Sequence, residues 1–185
     1  MATSAAQGRK GIKLTPVNSP PMRSADAEPL SRLRIQWERL SAIPGGKWLF
    51  SKALGVYVPY TGSIGARVEE LAPGYARVSL RERRALRNHL HSVHAVALVN
   101  LAEVAGNLAM LYAMPADARF IVSALSIEYL KKARGAITAE CRCAVPETSE
   151  RRAYDNPVVL RNEHGETVAT ALIKSLVGPK PPLSA

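Results

Sequence analysis

The chain has 185 residues and a mass of 20.0 kDa, the size of one domain that buries about 70% of its unfolded surface without metal or disulfide staples. Apolar residues at 47% and charged residues at 22% exclude a disordered chain, and two cysteines, Cys141 and Cys143, exclude a disulfide scaffold. The formal charge of +10 attracts anions (nucleic acid, anionic lipid or a phosphate-bearing small molecule), but an aromatic content of 5% is thin for stacking exposed bases.

Residues 1–29 read as a disordered tail, with Pro16, Pro20, Pro21 and Pro29, several serines and no apolar periodicity. They hold no apolar core of a secretory signal. Together with the cysteine usage this points to the cytoplasm, while the acid-free first 22 residues leave organellar targeting open. Leu30, Leu33, Trp37 and Leu40 then recur at helical spacing, Pro44-Gly45-Gly46 punctuates, and Trp48, Leu49 and Leu54 suggest a second short helix. Both read as a cover packed on something else. Residues 64–71 and 75–81 form a hairpin about Pro73-Gly74, followed by a charged connection over 81–87.

Residues 95–114 are rich in Ala, Leu and Met and stop at Pro115, which predicts a helix of ~30 Å. That length suits a bilayer, but Asn100, Glu103 and Asn107 interrupt it, so it reads as buried inside a fold without a membrane span. Four strand-like runs follow at 120–129, 136–145, 158–160 and 167–177, the last two joined by a turn at 162–166. Residues 178–185 read as a C-terminal tail. The order predicts an α+β domain over 30–177, an antiparallel sheet around one central helix behind two short N-terminal helices.

Asn100, Glu103 and Asn107 are spaced i, i+3, i+7 and share one helix face. Two readings stand: a solvent-facing or dimer-interface polar stripe, or a cleft in which Glu103 is a base or nucleophile. Ahead of the helix, Asn88-His89-Leu90-His91-Ser92-Val93-His94 gathers three of the four histidines. The spacing matches no familiar zinc signature, so no metal is expected. The N–H groups at the helix start, near Ala95, can hold an oxyanion. His94 and Glu103 are nine residues apart, ~13.5 Å of rise and half a turn. One helix cannot aim both at one atom, so joint action requires a second subunit and a two-fold dimer.

With these residues in view, the chain resembles the hotdog-fold thioesterase superfamily, in its phenylacetate-pathway-like branch. There an Asn is followed six positions on by a His and nine further by an acid, here Asn88, His94 and Glu103. "HAVALVNLAEVAGNLAM", "SIEYLKKARG" and "NEHGETVATA" resemble the family's helix, central strand and closing hairpin. "PGGKWLFSKALGVYVPYTGSIGARVEEL" resembles a subgroup with an added helical cover, and the likeness spans 31–177. The sequence departs from the pattern at His91, where the family often has Gly, at Ala95-Val96, where it has Gly-Gly, and at Glu103, where Asp is commoner.

The resemblance implies the hotdog fold, hydrolysis of an acyl-CoA thioester without a cofactor, and a homodimer or dimer of dimers. Glu103 would activate water or attack the carbonyl, and the N–H of Ala95, aided by Asn88 or His94, would hold the oxyanion. Ser123 or Ser126 would help place the water, on opposite faces if their strand is regular. Lys131, Lys132 and Arg134 would meet CoA phosphates, or else form an ordinary solvated strand end. His91 and Val96 favour an alternative, a non-catalytic hotdog module that binds acyl-CoA or a protein partner. A nucleic-acid role rests on charge alone and lacks a binding motif.

Overall fold

The computed structural model describes residues 32–181. The expected tail at 1–29 and Leu30 lie outside them, as do residues 182–185. The elements run α1 (Arg32–Ser41), α2 (Gly46–Tyr57), α3 (Pro59–Gly62), β1 (Arg67–Ala72), β2 (Tyr75–Arg81), α4 (Ala95–Leu111), β3 (Ala118–Tyr129), β4 (Ala136–Arg142), β5 (Arg152–Asn162) and β6 (Thr167–Pro179). The six strands form one antiparallel sheet in the order β1-β2-β4-β5-β6-β3.

The sheet curls around α4, the hotdog arrangement that the resemblance implies. Alternation explains how. Ala76, Val78 and Leu80 of β2 and Ile137, Ala139 and Cys141 of β4 are buried, and α4 packs chiefly on these two strands. The helix is apolar nearly all round because protein covers it nearly all round. Its open stripe is Val96, Val99, Glu103, Asn107 and Leu111, none of them fully buried. Gly106 lets the helix approach the sheet, since a Cβ there would meet the Ile173 side chain at 3.0 Å.

No helix among the described residues is long and apolar enough to cross a membrane. Cys141 and Cys143 are both free thiols and buried.

Four strands depart from the sequence expectation. β5 begins at Arg152, six residues before the apolar run at 158–160. Pro157 hides it. The proline lies beyond the last β4 partner, the Cys141–Val158 pair, so β5 is an edge on that side and tolerates a residue without an N–H. β4 ends at Arg142 rather than at residue 145, and β6 continues to Pro179. β3 is not regular: a bulge between Val122 and Ala124 leaves Ser123 without a ladder partner.

The two N-terminal helices cover the β1 end of the sheet. Trp37 of α1 and Phe50 of α2 are buried edge to face, with ring centroids 5.1 Å apart. Glu38 of α1 accepts a hydrogen bond from the Tyr112 hydroxyl at 3.1 Å, tying the cover to the far end of α4.

Candidate functional site

The segment from Asn88 to His94 is a tight loop closed on itself. Asn88 N–H donates to the Ser92 carbonyl at 2.9 Å, and His91 N–H donates to the Asn88 carbonyl at 3.2 Å. The Asn88 side-chain oxygen accepts from Leu90 N–H, Ser92 N–H and the Ser92 hydroxyl at 2.9, 3.2 and 3.2 Å. That oxygen organises the loop, and the Asn88 amide N–H₂ has no acceptor among the described residues. His91 takes φ 53, the one non-glycine among the described residues with positive φ. A left-handed position favours glycine, the residue that the family resemblance leads one to expect there.

His94 is the N-cap of α4. Its Nδ1 accepts the Val96 N–H at 3.2 Å, and its carbonyl accepts from Ala97 and Leu98 at 2.9 and 3.3 Å. Among the described residues the Ala95 N–H has no acceptor, so the helix start carries a free donor. Three contacts hold this corner. His94 N–H donates to the Leu86 carbonyl at 2.8 Å, Val93 N–H to the Ala133 carbonyl at 2.8 Å, and the Tyr129 hydroxyl to the Ala95 carbonyl at 3.2 Å. Tyr129 escaped the sequence reading because nothing in spacing links the end of β3 to the first residue of α4.

The Val93–Ala133 contact brings the loop between β3 and β4 beside the helix start, and Lys131, Lys132 and Arg134 come with it, all exposed. Lys131 pairs with Glu166 at 2.6 Å. Glu82 clamps the same loop, accepting from Gly135 N–H and from Arg87, both at 2.5 Å. The Gly135 N–H, with the Arg87 guanidinium, holds the Glu82 carboxyl below the usual range.

Glu103 stands on the open stripe of α4, half-buried, with the Asn107 amide nitrogen 3.5 Å from one carboxylate oxygen. The Asn107 side-chain oxygen is buried without a hydrogen-bond partner. Asn100 turns away: it is buried and donates to the Tyr60 carbonyl of α3 at 3.2 Å. The expected polar face therefore divides into Glu103 with Asn107, and Asn100 as a fastener for the cover.

Glu103 and His94 lie nine residues apart on one straight helix, ~13.5 Å along its axis, and the chain does not bring them together. Ser123 and Ser126 are both exposed on β3, and Ser123 donates to the Lys174 carbonyl at 3.1 Å. Among the described residues no three His, Cys, Asp or Glu side chains are grouped to hold a metal.

Comparison with known proteins now bears on this geometry. A family model described as "Domain of unknown function (DUF4442)" matches residues 46–177. No curated protein sequence matches. Among solved structures, the structural-genomics protein APC5556 is 30% identical, with a TM-score of 0.70 over 80% of this chain and 99% of that one. PA5026 of Pseudomonas aeruginosa, described as a probable thioesterase of unknown function, is 24% identical, with a TM-score of 0.63 over 75% and 97% of the two chains. The PaaI protein of the E. coli phenylacetic acid degradation operon is 19% identical, with a TM-score of 0.54 over 68% and 92%.

Proposed function

Because the chain belongs to the DUF4442 family and carries the hotdog fold, we propose that it is a thioester hydrolase acting on acyl-CoA in the cytoplasm, as a homodimer or a dimer of dimers. The observation that carries this reading is Glu103: a half-buried carboxylate at the centre of the one open stripe on an otherwise enclosed apolar helix. Named thioesterases among the structural neighbours support the same chemistry.

The reaction needs an oxyanion site and a base within reach of one carbonyl. The Ala95 N–H and the Asn88 amide supply donors at one end of α4, and Glu103 supplies the carboxylate eight residues beyond Ala95. A two-fold dimer that lays the helix start of one subunit against Glu103 of the other joins them into two equivalent sites. Glu103 takes a proton from water as its oxygen bonds to the thioester carbonyl carbon. The carbonyl oxygen gathers charge against Ala95 N–H and Asn88. The C–S bond then breaks, and the thiolate leaves with the proton returned by Glu103. Direct attack by Glu103, giving an acyl-enzyme anhydride that water opens, uses the same atoms. Lys132 and Arg134, both exposed, would meet the CoA phosphates.

The test is a panel of acyl-CoA thioesters with detection of released thiol, for the wild type and Glu103→Ala. We expect turnover and a loss of ~100-fold or more in the variant, the scale of a general base. Equal turnover in both removes Glu103 from its role. Val96, 51% exposed in the first turn of α4, crowds the approach to the Ala95 N–H and favours a second reading, a hotdog module that binds acyl-CoA without cleaving it. Saturable binding without thiol release selects that reading.

A further inference from the structure

An open cavity of about 630 Å³ lies between the helical cover and the β1–β2 end of the sheet, within the usual range for small-molecule sites. Its lining divides by chemistry. Half-buried Leu54 and Ala66 present an apolar floor, backed by buried Val68, Leu80 and Val104. Exposed Trp48 and Val56 stand at the mouth.

The charged residues of the lining are Lys52, Arg67, Arg81 and Glu69. Glu69 is engaged: it accepts from the Ser79 hydroxyl at 2.7 Å and faces Arg67 at 3.5 Å. Lys52 lies 5.8 Å over the Trp48 ring and Arg81 is exposed, and neither has a carboxylate partner among the described residues. The rim thus keeps two cations in excess over a greasy floor.

The wall is shaped by backbone. At the elbow between α2 and α3, Gly55 and Gly62 meet face to face, and a Cβ on Gly62 would stand 2.3 Å from the Gly55 carbonyl oxygen. Both glycines line the cavity. Neither has positive φ, so the requirement is close approach and not backbone freedom. Any side chain there would push α3 away and open the wall.

We propose that this cavity binds a single-chain amphiphilic anion, its acyl tail on the floor of Leu54 and Ala66 and its anionic head at Lys52 and Arg81. An apolar floor alone would take any hydrocarbon; unpartnered cations at its mouth select one with a negative head. The site does not use Glu103 and stands whether or not the chain cleaves thioesters.

The full chain is titrated with palmitate, below its micelle concentration, against a fluorescent fatty-acid probe. We expect saturable one-to-one displacement by palmitate and none by butyrate, which lacks the tail. A Lys52→Glu/Arg81→Glu double variant is expected to weaken binding at least tenfold, and Ala66→Trp, which fills the cavity, to abolish it. The charge reversals are on the surface, and a thermal melt checks that both variants fold. Glu103→Gln is expected to bind palmitate as the wild type does. Palmitoyl-CoA and a lysophosphatidylglycerol compete in further arms, and the stronger competitor identifies the source of the head group. Absence of saturable palmitate binding overturns the proposal. So does binding that survives both cavity variants, or binding lost in Glu103→Gln, which places the acyl chain in the helix-stripe site instead.

Discussion

The sheet has two edges, and the chain treats them in opposite ways. At the β1 edge, helix α2 lies along the strand and satisfies its outward backbone. Lys47 donates to the Glu69 carbonyl at 2.7 Å, and the Ser51 hydroxyl accepts the Val68 N–H at 2.9 Å. At the β3 edge, a strand of 12 residues pairs with β6 alone, and no described helix lies along its other side. Its inward residues Phe120, Val122, Leu125 and Ile127 are only half-buried, because α4 sits over the far strands, and Ile121 is 68% exposed. A long uncapped edge with an uncovered inner face invites another strand. The helical cover closes one edge, and among the described residues the other stays open, where the second copy proposed for a site divided between the two ends of α4 would dock.

Charge on the open edge is the sharpest way to break this contrast. Ile121→Arg should weaken self-association at least tenfold, read by sedimentation across a concentration series, and thiol release should fall with the dimer. An unchanged mass in the variant would show that β3 is not the contact. At the closed edge the largest effect is expected from the α1–α2 elbow. A Cβ on Gly46 would lie 1.7 Å from the Leu40 carbonyl oxygen, a backbone atom with no rotamer to yield. Gly46→Ala should cost about 3 kcal/mol, the upper part of the range for overpacking, in a denaturant titration of the monomeric or dimeric chain at fixed concentration. Ser51→Ala comes next. It strands the N–H of buried Val68 and removes a second bond, from the Ser51 hydroxyl to the Lys47 carbonyl at 2.7 Å. About 1–3 kcal/mol is expected, and a loss near zero would mean that water replaces the hydroxyl.

Which parts of this were legible in the sequence follows from where the signal is local. Helix α4 was legible because its composition is its environment: Ala, Leu and Met on every side, with Glu103 and Asn107 marking the one stripe left open. The hairpins at Gly74 and Gly165 were legible because both turns need positive φ. The bulge at Ser123 was not, since it depends on how β3 registers with β6, and no residue type announces it. The first half of β5 was masked by Pro157, a signal that argues against a strand unless the missing neighbour on that side is known. Asn88, His94 and Glu103 were found through spacing and resemblance. That Asn88 binds its own loop and that His94 caps the helix required coordinates, because both side chains accept from backbone N–H groups whose positions sequence does not give.

The smallest expected effect tests how the closed edge is held. Lys47 reaches the Glu69 carbonyl while its ammonium lies 5.9 Å over the Trp37 ring. Two terms act there, a charge-assisted hydrogen bond and a cation–π contact, both partly open to solvent and so reduced. Lys47→Met keeps most of the stem and removes the charge; it should cost about 1 kcal/mol or less, with a weaker dependence on salt than the wild type. If instead Lys47→Met loosens the cover as much as Ser51→Ala, protease cutting within α2 will rise equally in both. The ammonium would then hold the β1 edge as firmly as the hydroxyl does.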